Sequence, residues 1–149
     1  MSIKSQLDRV ITKKDLNLKQ LADQIMKEVK IELINLIQTD WYDTYSPLDY
    51  SRSYDLINSI DGIVEKNGKG DYTVRLFFDK SMIHSSGGDG WGRHQGFDNE
   101  RFADGLIEGI DTGIKGSTNN PRYGDAIHFK DRITKFAQNM ANKLLKQYL

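Results

Sequence analysis

The side chains in this sequence best suited to chemistry are its histidines and carboxylates, and four of them fall in one stretch: His84, Asp89, His94 and Asp98. A chain without cysteine must use imidazole and carboxylate to hold a metal, so a metal-dependent hydrolytic centre would have to sit here. The spacing argues against one. There is no helical His-x-x-x-His pair, EF-hand loop, phosphate-binding glycine loop or serine-nucleophile elbow. The single Gly87-Gly88-Asp89-Gly90 run lacks the repetition of a calcium-binding array. The chain is therefore read as non-enzymatic, with no cofactor and no metal. The alternative is a small metal-dependent nuclease or hydrolase using His84, Asp89 and His94. His128, at the start of the last helical pattern, reads as a capping or packing residue rather than a base.

Other residues suit recognition better than catalysis. Trp91, Arg93 and Phe97 stand among glycines, the composition of a binding loop with large anchors on an adaptable backbone. Packing of the same rings back onto the neighbouring hairpin is the competing reading. Asn119-Asn120-Pro121-Arg122-Tyr123-Gly124 is a turn by composition, leaving Arg122 and Tyr123 to face a partner. From Trp41 to Ile60 five aromatics crowd around Pro47 and Arg52. Pro47 stops the helix before it, and Arg52, between Tyr50 and Tyr54, is placed to stack on a ring or to fork onto carbonyls that the turn leaves unpaired.

The elements that must position these residues follow from periodicity. Leu18, Leu21, Ala22, Ile25, Val29, Leu33 and Leu36 recur at three or four residues and predict a helix from about Asp15 to Thr39, with Asp15 as its N-cap. Met26, Ile34 and Ile37 widen its apolar face enough for two surfaces, core and subunit contact. Before it, Ile3, Leu7, Val10 and Ile11 predict a separate short helix in an N-terminal arm, residues 1–12. A short helix from about Arg52 to Asn58 would turn Tyr54, Ile57 and Ile60 inward. A hairpin follows, with strands Ile63–Lys66 and Tyr72–Phe78 about a turn at Asn67-Gly-Lys-Gly-Asp71, in which Asn-Gly would supply the positive φ angles that a tight turn needs. Tyr72, Val74, Leu76 and Phe78 should pack on the helices, while Phe77 on the other face suggests that this side is not wholly solvated. Residues 80–124 form a glycine-rich region, in which Asp98 would cap a short helix carrying Phe102, Leu106, Ile107 and Ile110. Ile133, Phe136, Met140, Leu144 and Tyr148 define a last helix from about Ile127 to Tyr148. The expected fold is α+β: two long helices packed on a small antiparallel β-sheet, with a long glycine-rich loop, as one domain over residues 1–149.

Composition narrows the function classes. With 21 basic and 21 acidic side chains the chain is neutral overall, so any nucleic-acid contact must come from a local patch. Charge is unevenly spread: residues 127–149 carry five basic against one acidic, and residues 71–111 carry four basic against eight acidic. Opposite patches on one chain would suit head-to-tail packing in a ring. The absence of cysteine excludes disulfides and thiolate metal sites and agrees with a reducing compartment. No stretch has the apolar core of a signal peptide or the roughly 18 apolar residues of a membrane helix, so no membrane partner is expected.

The run Tyr50-Ser-Arg52-Ser-Tyr54-Asp-Leu56-Ile-Asn-Ser59-Ile60 resembles the Tyr-x-Arg-Thr/Ser-x-x-Leu-x-x-Ser signature of neck and tail-completion proteins of long-tailed double-stranded DNA bacteriophages. A long helix before it, a hairpin after it and a closing helix extend the likeness. The resemblance implies a structural head-tail connector of the virion, assembled in the host cytoplasm as a ring, hexamer or dodecamer, that lets genomic DNA through its lumen without sequence specificity. It also implies contacts to head-closure, portal-side and tail proteins. On this reading Trp91, Arg93, Phe97, Arg122 and Tyr123 grip neighbours, and Tyr50, Arg52 and Tyr54 hold the junction between helix and hairpin. A monomeric adaptor binding a protein through the glycine-rich loop is a further alternative.

Overall fold

The structure, a computed structural model, describes residues 2–44, 54–83, 99–113 and 126–148. In chain order its elements are helix α1 (Ile3–Asp40), a 3-10 turn (Tyr42–Thr44), the short helix α2 (Asp55–Asn58), strands β1 (Ile60–Gly68) and β2 (Asp71–Phe78), a second 3-10 turn (Lys80–Met82), helix α3 (Asn99–Thr112) and helix α4 (Phe129–Tyr148). The fold is α+β, with α1 as a spine, the antiparallel hairpin along one flank and α4 packed beside it.

The two helices expected before Trp41 are one, and this corrects the placement of Asp15. No glycine or proline occurs between Ser2 and Asp40, so nothing interrupts the backbone ladder, and α1 runs unbroken for 38 residues, about 57 Å at 1.5 Å per residue. The cap is Ser2, whose hydroxyl accepts from the Ser5 N–H at 3.2 Å. Asp15 lies in mid-helix and its carboxylate is used elsewhere.

The hairpin is longer than expected because Ile60, Asp61 and Gly62 also pair. Register runs from Ile60 opposite Phe78 to Lys66 opposite Tyr72, slips at Asn67, and closes with Gly68 opposite Asp71. The positive φ that the tight turn needs falls on Gly70, at +71°, not on Asn67-Gly68. The period-2 reading of β2 holds: Tyr72, Val74, Leu76 and Phe78 are half-buried, and Thr73, Arg75 and Phe77 are exposed. Phe77 is 38% exposed, so the outer face is open among the described residues.

One core cluster joins Leu33, Ile37, Trp41 and Tyr42 at the C-terminal end of α1 to Leu56, Ile60, Ile83, Ala103, Ile107, Ile110, Ile127 and Phe129. The Phe78 and Phe129 rings meet edge to face at 5.7 Å and tie the sheet to α4. In α2 it is Leu56, not Tyr54, that turns inward, together with Ile60; Tyr54 is exposed and Ile57 half-buried. Tyr54 has φ +58°, a left-handed conformation that ends the approach to α2 and rotates its ring outward onto Tyr42, 5.0 Å away.

Candidate functional site

The molecule has two ends, set by where α1 leaves the core. At one end Asp15 fastens the hairpin tip. Its Oδ1 accepts from the Gly70 N–H at 2.7 Å and its Oδ2 from Lys66 Nζ at 2.8 Å, while the Tyr72 hydroxyl lies 3.4 Å from the Asp15 carbonyl. The Lys66 hydrogen bond, then that of Gly70, hold the Asp15 carboxyl down at about 2. The same bond raises the Lys66 ammonium above its ordinary range, and burial raises the Tyr72 hydroxyl. A carboxylate read as a helix cap is thus the latch that sets the angle of hairpin to spine.

Beyond that latch α1 continues to its N-terminal end. Ser2 to Arg9 are all exposed, with Ile3 at 77% and Leu7 at 55%, one helical turn apart on a single face. Residues 3–14 span about 18 Å of helix and carry Lys4, Arg9, Lys13 and Lys14 against Asp8. An apolar pair on a basic helix, held away from the core, has the form of a contact arm.

At the other end, α3 and α4 are stapled into a corner. The Ile127 N–H donates to the Ile110 carbonyl at 3.2 Å and the His128 N–H to the Asp111 carbonyl at 3.0 Å. Asp111, buried, accepts the Lys130 N–H on Oδ1 at 3.0 Å and so caps α4 from the end of α3. His128 has φ +50°, and its carbonyl accepts from the Arg132 N–H at 3.1 Å, so its backbone opens the helix while its ring is exposed. Lys130 Nζ reaches Glu108 at 3.0 Å, which raises its ammonium, and the Arg132 guanidinium pairs with Asp40 at the end of α1, holding that carboxyl below the usual range. Gly113, φ +88°, brings the end of α3 against Ala126.

Tyr50 and Arg52, the set His84, Asp89, Trp91, Arg93, His94, Phe97 and Asp98, and the pair Arg122 and Tyr123 all lie outside the described residues. The residues flanking their three segments, however, belong to one cluster: Tyr42 and Leu56, Ile83 and Ala103, Ile110 and Ile127. Among the described residues no His, Asp and Glu side chains come together as a metal-holding group. No described helix is long and apolar enough to cross a membrane.

Sequence reading missed Asp15 as a latch and Asp111 as a cap in trans, because both act on residues distant in sequence. Buried Ile127 and Phe129 precede or open α4, where helical periodicity has too few turns to register.

The model of one protein family, YomN, matches residues 4–149, and the chain belongs to that family. The family is phage-derived, of the Bacillus SPbeta-like prophage kind. No curated protein and no solved structure matches the chain.

Proposed function

Within a phage-derived family, we propose that this chain is a structural protein of the virion neck or tail. It acts as a tail-completion or head-tail joining protein that assembles in the host cytoplasm into a ring around the path of the DNA. Its neighbours are further copies of itself and the head-closure, portal-side and tail proteins. The likeness of the Tyr50 to Ile60 run to head-tail connectors supports this reading. The observation that carries it is the arm: a capped helix of about three turns presenting Ile3 and Leu7 to solvent. A helix of roughly twelve residues is marginal in water without packing, so a surface that covers this face stabilises both partners. An arm at one end of α1 and the core at the other suit a subunit that must touch unlike neighbours along an axis.

The test separates folding from assembly. Replacing Ile3 and Leu7 together by Asp changes two exposed side chains, so the melting of the isolated protein should stay within about 0.5 kcal/mol of wild type. Incorporation into particles, followed by imaging and protein composition, should fall to background. Normal incorporation of the doubly substituted protein would remove the arm as an assembly element and with it this reading.

A further inference from the structure

A neutral chain can meet nucleic acid only through a local patch, and α4 carries one. Of the five basic residues in its span, Lys130 and Arg132 are engaged by Glu108 and Asp40. The other three, Lys135, Lys143 and Lys146, are exposed and make no ion pair among the described residues. Lys135, Asn139, Asn142 and Lys146 follow the i, i+4, i+7, i+11 spacing of a single helix face, flanked by Gln138 and Lys143. All six are exposed, while Ile133, Phe136, Met140 and Leu144 turn to the body. The sole acid on α4, Asp131, sits at its N-terminal end.

We propose that this outward face of α4 binds the phosphate backbone of double-stranded DNA without reading its bases. Lysine and amide side chains are both donors to phosphate oxygens. The face lacks the arginine that would fork onto guanine and the aromatic or arginine anchors of a protein interface, where lysine is depleted. From Lys135 to Lys146 the helix rises about 16 Å, alongside roughly ten phosphate charges of a parallel duplex. The inference rests on the reading that DNA passes this protein in the particle and adds which surface faces it; incorporation of the arm variant tests that reading, and binding in solution tests this one.

Fluorescence polarisation of labelled 20-base-pair duplexes of two unrelated sequences decides it. Three neutralised phosphates predict an affinity that falls about 40-fold between 50 and 200 mM salt. Lys135→Gln, Lys143→Gln and Lys146→Gln together should abolish most of that salt dependence, whereas Lys19→Gln, Lys27→Gln and Lys69→Gln, equal in charge and outside both the arm and α4, should leave binding unchanged. Four results would overturn the proposal: no binding by the wild type at 50 mM salt, equal loss in both triple variants, a tenfold preference for one sequence, or displacement by polyglutamate as effective as by unlabelled duplex. The last would assign the face to an acidic protein.

Discussion

Asp15 carries more of the architecture than its position in mid-helix suggests, because one carboxylate satisfies both a turn N–H and a lysine from the hairpin. Its pKa is about 2 in the folded chain against an ordinary 3.8. A depressed folded pKa means that the latch contributes its full stability above about pH 4 and loses it as the pH falls from about 4 to about 2. Asp15→Asn keeps an acceptor for Gly70 but not the charge for Lys66. The gap in melting temperature between wild type and Asp15→Asn should therefore be constant above pH 5 and close towards pH 2. A gap that persists at pH 2 would show that the carboxylate's charge is not what matters. Asp111 offers a second test: removing its cap with Asp111→Ala should cost about 1–2 kcal/mol in denaturant unfolding, and Asp111→Asn, which retains an acceptor, markedly less. Neither role can be read from sequence, since each depends on a backbone N–H more than fifteen positions away.

Among the elements, those whose pattern is local were legible and those whose limits depend on neighbours were not. The alternation from Tyr72 to Phe78 announced β2 and its inward face, because period two needs only adjacent residues. The start of β1 was hidden by Gly62, which interrupts the alternation for a packing reason. A Cβ there would lie 2.8 Å from both Cγ and Sδ of Met26, so glycine lets the strand close on α1. Gly62→Ala should destabilise by about 1–3 kcal/mol, and Met26→Ala in the same chain should recover much of that loss. Additive losses in the double variant would mean that the glycine serves strand geometry and not contact with α1. The break expected near Asp15 failed for the opposite reason: Lys13-Lys14-Asp15 interrupts the apolar stripe but not the hydrogen-bond ladder, and α1 continues through it.

At the scale of the whole molecule, the charge asymmetry that suggested subunit-to-subunit pairing is partly spent inside the chain. Lys130 of the basic segment meets Glu108 of the acidic one at 3.0 Å, so part of that opposite charge is paired within the chain. The spine itself is uneven: its C-terminal half carries the buried residues Val29, Leu33, Leu36 and Ile37, and Ser2 to Arg9 are exposed. Stability should then be graded along a single helix. Amides from Val29 to Ile37, packed in or beside the core, should open only with global unfolding, while those from Leu7 to Lys14 should exchange within about tenfold of an unstructured chain. Assembly would add packing only to the second group, so in purified particles hydrogen exchange at Leu7 to Lys14 should slow by at least about a hundredfold with little change at Val29 to Ile37. Uniform protection along α1 in the isolated protein would show that the arm is stable without a neighbour, and the physical case for its covering surface would fall.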